Sequence, residues 1–231
     1  MMKTFARWLR NILIFFFAST ILSVVILKYI PVYITPLMLI RAVESMIDGE
    51  PPVIAHPWVP LEQISHNLPQ AVMASEDNLF LKHSGFDLEQ IQKAQIEAQE
   101  GKRQRGASTI SQQTARNVFL WQKRSWLRKG LEAYFTFLIE MIWGKERIME
   151  VYLNSIEMGK GIYGAHAVAS INFGTTPDKL TKKQSALIAV SLPNPLKRDS
   201  AHPTSRMRKM QQTILKRMNQ IDQFPPEACA R

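Results

Sequence analysis

The sequence predicts one mostly α-helical domain behind a single N-terminal membrane-spanning helix. Three observations support this fold class. Residues 12–27 include no charged side chain, apolar residues in the rest of the chain recur at three- and four-residue spacing, and strand-like alternation is scarce. The chain has 231 residues, with no internal repeat or low-complexity block. That length allows one domain with a sizeable core.

The N-terminal segment has the charge pattern of a membrane anchor. A basic tail, residues 1–10, precedes an apolar stretch, residues 11–34, and a membrane span needs about 20 apolar residues. A cleaved signal peptide is the main alternative, but no small-x-small cleavage site follows Leu27. We therefore expect an uncleaved anchor with its basic end in the cytoplasm. Residues 35–58 are expected to form a linker and residues 59–231 the functional domain outside.

The net charge points to an anionic partner. The chain has 29 Lys and Arg against 19 Asp and Glu, a formal charge of +10. Nucleic acid, an anionic membrane and a phosphorylated substrate all fit that charge, but an external domain disfavours nucleic acid. The lone Cys229 allows no intramolecular disulfide. The five histidines are scattered outside any zinc motif, so we expect no protein metal site.

Helix boundaries can be read from capping residues and glycine or proline punctuation. A helix is expected to begin near Pro69, and another to follow a cap at Asp87 and Gln90 and run from Leu88 to about Gln99. Further caps are expected at Thr109 with Gln112, at Ser125 before a helix ending near Trp143 and Gly144, and at Thr181 with Gln184 before Pro193. A last amphipathic helix is expected over Arg206 to Asn219.

A glycine motif at 159–164 reads Gly-Lys-Gly-Ile-Tyr-Gly, which matches the dinucleotide-binding fingerprint letter for letter. That fingerprint has its function only between a strand and a helix of a βαβ unit. Here a helix is predicted to precede it, so we expect a tight glycine turn beside the active site instead.

Three further segments have residues suited to chemistry. Glu76 and Asp77 end a predicted helix, where the helix dipole disfavours a carboxylate. The segment 106–113 combines hydroxyls, amides and a helix start, and it follows a polar stretch, 94–105, expected to be mobile. Residues 128–132 place two cations and one carboxylate on a single helix face. Each has an ordinary structural alternative: a solvated helix end, a capped helix start and a surface salt-bridge ladder.

The order and spacing of five sequence blocks resemble the monofunctional peptidoglycan glycosyltransferases of glycosyltransferase family 51. The blocks, within residues 59–195, are EDNLFLKHSG from Glu76, GASTISQQ from Gly106, RKGLE from Arg128, ERIMEVYLN from Glu146 and LTKKQSALIAVSLPNP from Leu180. Three positions depart from the family pattern: Ser111 replaces Thr, Arg116 replaces Lys and Gln184 replaces a common Glu.

The resemblance implies a lysozyme-like, two-lobed helical fold whose smaller lobe dips into the membrane. It also implies polymerisation of lipid II into glycan strands. In that inverting reaction the acceptor 4-hydroxyl displaces undecaprenyl pyrophosphate from the growing chain and forms a β-1,4 bond. By its match, Glu76 is expected to be the general base. Glu132 is expected to position Arg128 and Lys129 and to help the pyrophosphate leave.

The resemblance assigns the other site residues to three groups. Those expected to contact substrate or to shape its cleft are Ser108, Thr109, Gln112, Gln113 and Asn154, with the pyrophosphate cations Arg116, Arg124, Arg128 and Lys129. Those expected to support the motifs are Asp77, Phe80, His83 and Gly106. Those expected to make a second membrane contact, with core packing as the alternative, are Phe119, Leu120, Trp121 and Trp126.

The expected location is the periplasmic side of the bacterial inner membrane. Lipid II, the growing glycan, the membrane and proteins of cell-wall synthesis and division are the expected partners. No cofactor is identified, although a divalent cation such as Mg2+ could assist the leaving group. No penicillin-binding motif is present and few residues follow Pro195, so no transpeptidase activity is expected. The alternatives are a lysozyme-like peptidoglycan hydrolase and a noncatalytic membrane-anchored scaffold.

Overall fold

The structure is a computed structural model that describes residues 2–52, 54–101 and 108–225. Within those residues the helices are α1 Met2–Tyr29, α2 Pro36–Ile47, α3 Asn67–Glu76, α4 Leu88–Gln99, α5 Ile110–Phe119, α6 Trp126–Ile142, α7 Gly144–Ser155, α8 Gly164–Phe173, α9 Lys182–Ser191 and α10 Ser205–Arg217. Two short antiparallel strands, β1 Glu157–Gly159 and β2 Ile162–Tyr163, form the sheet. The predicted all-α class is confirmed. Gly106 and residues 102–105 of the stretch expected to be mobile lie outside the described residues, whereas residues 94–99 of that stretch belong to α4.

The predicted helix caps are present. Reciprocal capping boxes open α5 and α9, where each threonine accepts the backbone N–H of a glutamine whose side chain bonds back to the threonine N–H. Asp87 accepts the backbone N–H of Gln90 at 2.9 Å, and Ser125 accepts that of Arg128 at 3.1 Å. Helix α10 ends at Arg217, two residues earlier than expected.

Helix α1 is long and apolar enough to cross a membrane over Lys3–Tyr29. At a rise of about 1.5 Å per residue it exceeds the roughly 30 Å of a hydrocarbon core. It also packs along α6. The Thr20 and Tyr134 hydroxyls lie 2.8 Å apart, and the Trp143 indole N–H donates to the Val24 carbonyl at 2.7 Å. The anchor therefore forms part of the folded domain.

The prediction that residues 35–58 serve only as a linker is corrected by helix α2. Thr35 caps this helix, and its first turn buries Leu37 and Met38 against Tyr163 of strand β2. Burial of these apolar side chains lowers the free energy of the folded state, and it holds α2 against the domain.

The glycine motif at 159–164 forms a tight turn, as predicted. It connects β1 to β2 and follows helix α7, so no βαβ unit surrounds it. Gly164 has a φ of +78°, and a Cβ atom there would lie 2.5 Å from the Asn154 carbonyl oxygen. The close approach of the Asn154 backbone explains why position 164 is a glycine. The turn was expected beside the active site, but its backbone hydrogen bonds are made with Ala55 and not with Glu76.

Small side chains let α3 lie close to α9. Ala71 and Ala74 on α3 belong to the same buried cluster as Ala186 and Ala189 on α9. At the end of α3, the Ser75 hydroxyl donates to the Ala189 carbonyl at 3.2 Å. These contacts fix the last turn of α3, and they therefore also fix the position of Glu76, which follows Ser75.

Candidate active site

Glu76 is the last residue of α3 and lines a polar cavity of about 500 Å3. The cavity walls come from the end of α3, the starts of α4 and α5, and the end of α10. Ser108, half-buried, lines it beside Asp77, as expected for a cleft residue. Arg217 and Gln220 form part of the wall and were not among the predicted site residues.

The Glu76 carboxylate is held by neutral donors. Its Oε2 accepts from Gln113 Nε2 at 3.0 Å, and its Oε1 accepts from the Ser75 hydroxyl at 3.4 Å. Burial raises the pKa of Glu76, which the two hydrogen bonds and the positive charge of Arg198 oppose and the neighbouring Asp77 reinforces. A carboxylate with a raised pKa is a stronger proton acceptor when ionised, which suits a general base.

Asp77 has a structural role that differs from the role of Glu76. It is buried, accepts the backbone N–H of Ile110 at 2.9 Å, and accepts from His83 Nε2 at 2.9 Å. Ile110 is the first residue of α5, where a negative charge is favoured by unpaired N–H groups and the helix dipole. The alternative of a solvated helix end is thus excluded, because Asp77 joins the end of α3 to the start of α5.

The rest of the first block forms a compact loop. Phe80 is fully buried, and Lys145 lies over its ring at 4.5 Å. His83 Nδ1 accepts the Gly85 N–H at 3.1 Å, which leaves the Nε2 proton for Asp77. A Cβ atom on Gly85 would lie 2.7 Å from the Thr136 methyl group. The structure therefore places Phe80 and His83 where they shape the motif.

Three predicted cleft residues have architectural contacts instead. Thr109 and Gln112 form the α5 capping box, and the Thr109 hydroxyl also donates to the Gly85 carbonyl at 2.7 Å. Asn154 is fully buried, and its side-chain amide pairs with both backbone groups of Val59 at 2.9 and 2.8 Å. The polar atoms of Asn154 are satisfied inside the protein, so the structure favours the shaping of the cleft over sugar contact, the two roles expected for it.

The second carboxylate lies in a buried cluster of cations. Glu132 on α6 is 2% exposed; its Oε2 accepts from Arg128 Nη1 at 2.6 Å, and its other oxygen pairs with Lys129. Arg128 is buried as well, so the alternative of a solvated surface ladder is excluded. The charges of Glu132 and Arg124 both act on Arg116, which approaches from α5. Arg128 and Lys129 thus pair with one carboxylate, and Arg116 and Arg124 add positive charge nearby.

Two donors in this cluster have no acceptor among the described residues. The Nε atoms of Arg116 and Arg128 are buried and unpaired. Burial lowers the pKa of Arg116, which the negative charge of Glu132 opposes. Buried polar groups in proteins are normally paired, and guanidinium groups pair best with phosphate or carboxylate oxygens. The cluster therefore has an excess of positive charge, which suits an anionic ligand.

The predicted second membrane contact divides into two pairs. Phe119 stacks on Phe135 with ring centroids 4.4 Å apart, and Leu120 is buried. The structure therefore favours the alternative of core packing for these two, because the end of α5 packs on α6. Trp121 and Trp126 are 37% and 95% exposed, as a membrane contact requires.

Sequence reasoning missed two residues that act on Glu76. Tyr152 on α7 is fully buried and bonds to Gln113, and Arg198 lies beyond α9. The sequence pattern did not mark either of them as a site residue. A tyrosine at an apolar helix position, such as Tyr152, is usually a core residue. Among the described residues, no group of three or more His, Cys, Asp and Glu side chains could hold a metal ion.

Comparison with known proteins agrees with this geometry. Residues 49–219 match the family model described as Transglycosylase. The chain is 58% identical over 224 residues to a biosynthetic peptidoglycan transglycosylase of Bacteroides thetaiotaomicron, covering 97% of this chain and 90% of that protein. It is 45% identical over 221 residues to one of Pseudomonas syringae pv. syringae, covering 96% and 94%. Its own sequence blocks, its helical fold and these relatives agree, and the chain belongs to the transglycosylase family of peptidoglycan glycosyltransferases.

Proposed function

We propose that the chain polymerises glycan strands from lipid II, with Glu76 as general base and with inversion at the donor. The observation that carries the proposal is the contrast between two carboxylates. Glu76 faces a polar cavity and is held by neutral donors, whereas Glu132 is buried and pairs with the cations Arg128 and Lys129. One site suits removal of a proton, and the other suits a departing anion.

At the base, Glu76 takes the proton of the acceptor 4-hydroxyl. A sugar hydroxyl is far too weak an acid to ionise in advance, so proton transfer accompanies bond formation. The hydroxyl oxygen bonds to the anomeric carbon of the donor as the bond from that carbon to the pyrophosphate oxygen breaks. Attack from the opposite face converts an α-linked donor into a β-1,4 linkage.

At the leaving group, the cations neutralise charge that grows as the pyrophosphate departs. Arg116 and Arg128 supply positive charge, and the exposed Lys129 and Arg124 supply cations that a pyrophosphate can reach. Such preorganised donors accelerate a reaction because they bind the transition state more strongly than the ground state. Glu132 positions the cations. A divalent ion such as Mg2+ would supply further charge neutralisation at the pyrophosphate.

The substrate's lipid requires the site to lie near a membrane. Helix α1 would cross the bacterial inner membrane with the domain on the periplasmic side, and the exposed Trp121 and Trp126 would enter its outer leaflet. A lysozyme-like hydrolase shares the fold but acts on finished glycan and has no pyrophosphate to bind. The buried cation cluster therefore favours the polymerase. The absence of penicillin-binding motifs predicts that β-lactams do not inhibit it.

The test is a gel of products formed from labelled lipid II. The wild type should yield glycan strands, and Glu76→Gln should lose at least about a hundredfold in turnover, the usual scale for a general base. Glu62→Gln, a change at an exposed carboxylate, is the matched control and should be fully active. Strand formation by Glu76→Gln at the wild-type rate would refute the assignment of the base. Release of fragments from finished peptidoglycan would favour the hydrolase.

A further inference from the structure

We propose that Tyr152 is a positioning residue for the base. Its hydroxyl orients the side-chain amide of Gln113 so that the N–H group, rather than the carbonyl oxygen, faces Glu76. The inference rests on the proposed function, because Glu76 must act as a base for the orientation to matter. It assigns a role to a buried tyrosine that never touches the substrate.

Three side chains from three helices form one hydrogen-bonded chain. Tyr152 comes from α7 and is fully buried. Its hydroxyl lies 3.2 Å from Oε1 of Gln113, which belongs to α5. Nε2 of the same amide lies 3.0 Å from Oε2 of Glu76 at the end of α3. The amide therefore bridges the phenol and the carboxylate.

Only one orientation of the amide satisfies all three groups. Burial raises the pKa of Tyr152 well above its ordinary value, so the phenol remains protonated and must donate. Gln113 Oε1 is the acceptor it has among the described residues. The reversed amide would place an N–H group against the phenol proton and a carbonyl oxygen against the Glu76 carboxylate. An unpaired buried donor and two facing acceptors are both unfavourable.

The orientation controls the protonation state of Glu76. An N–H group donated to the carboxylate stabilises its ionised form, which is the form that accepts a proton. A carbonyl oxygen in the same place would bond only to protonated Glu76 and would therefore hold the base inactive. Without the Tyr152 hydroxyl, only Glu76 itself selects the N–H end of the Gln113 amide, and it does so only while it is ionised.

Charged groups near Glu76 come from several elements, and none of them is changed by removing a neutral hydroxyl. Asp77 follows it on the chain, Arg198 acts from beyond α9, Arg116 acts on Tyr152 from α5, and Asp87 and Arg217 line the cavity from α4 and α10. A shift in the pH profile of Tyr152→Phe thus reports the hydrogen-bonded chain rather than a change in net charge.

The test compares pH profiles of lipid II polymerisation by full-length enzyme. In Tyr152→Phe the acid limb of kcat/KM should move up by about one pH unit, since a hydrogen bond to a charged group is worth roughly that shift. At neutral pH kcat should fall while KM stays within about twofold. Tyr163→Phe is the matched control: Tyr163 is equally buried, but its hydroxyl has no partner among the described residues, so its acid limb should not move.

A double-mutant cycle with Gln113→Met separates positioning from packing. Gln113→Met should raise the acid limb at least as far, and adding Tyr152→Phe should then shift it no further. An unmoved limb in either single variant, or an equal Tyr152→Phe shift in both backgrounds, would overturn the proposal. A wild-type enzyme that makes no glycan from lipid II would instead refute the proposed function. The two failures are therefore distinguishable.

Discussion

Asp77 accepts the backbone N–H of Ile110 at 2.9 Å, so the residue that follows the base also caps the helix that carries Gln113. Two helices separated in the chain are thereby fixed at one point. This bond joins the α3 and α5 walls of the cavity beside Glu76.

Removal of the Asp77 side chain should destabilise the domain. Asp77→Ala leaves the buried N–H of Ile110 and the His83 imidazole without their acceptor, a loss of about 2 kcal/mol in the free energy of unfolding. Thermal unfolding of the variant measures this loss of stability. The control is Asn78→Ala, a change at the exposed neighbour. Equal melting temperatures for the two variants would contradict the role of Asp77 as a helix cap.

Ionisation of Glu76 should weaken the fold. Burial raises its pKa, so the folded state binds the proton more tightly than the unfolded state. Stability from this group is present below the unfolded pKa and is lost as pH rises through the folded pKa. Glu76→Gln should therefore raise the melting temperature at pH 8 and leave it nearly unchanged at pH 4. A variant less stable than wild type at pH 8 would mean that ionised Glu76 contributes net stability.

The buried cation cluster should affect turnover more than substrate binding. Glu132→Gln removes the charge that positions Arg128 and Lys129, and leaving-group charge develops only in the transition state. We expect kcat to fall about a hundredfold, with little change in the Kd for lipid II. Single-turnover kinetics and equilibrium binding measure the two quantities. Lys123→Gln, at an exposed neighbouring cation, is the control. A defect confined to Kd would assign the cluster to docking.

Trp126 should enter the acyl region of a bilayer. It is 95% exposed at the start of α6, and Leu127 beside it is 68% exposed. We expect its fluorescence to be quenched by brominated lipids when full-length protein, with every other tryptophan replaced by Phe, is reconstituted into vesicles. A variant that keeps only Trp58, which lies against Arg147, should be quenched less. Equal quenching of the two would leave α1 as the only supported membrane contact.

Local sequence was sufficient where structure depends on neighbours in the chain. The capping boxes at Thr109 and Thr181 were predictable because both partners lie within one helical turn. The common face of Arg128 and Glu132 was predictable for the same reason. Their burial was not, because the sequence of α6 does not say what covers that face. The sequence could not decide between core and membrane for Phe119, since an apolar side chain suits a core and a bilayer equally.

The sequence by itself determined the helical class and most helix ends, because these follow from composition, periodicity and contacts three or four residues apart. The membrane anchor and the roles of the two carboxylates stay predictions, the second of them drawn from the family resemblance. Only the tertiary structure decided which polar groups are buried, and with which partners. Tyr152 reaches Gln113 across 39 residues, and the Trp143 indole reaches Val24 across 119. Such pairs leave no periodic pattern, because the chain between them is folded by packing of whole helices. The raised pKa of Glu76 arises from that packing, which removes water from a carboxylate that the sequence shows only as a helix end.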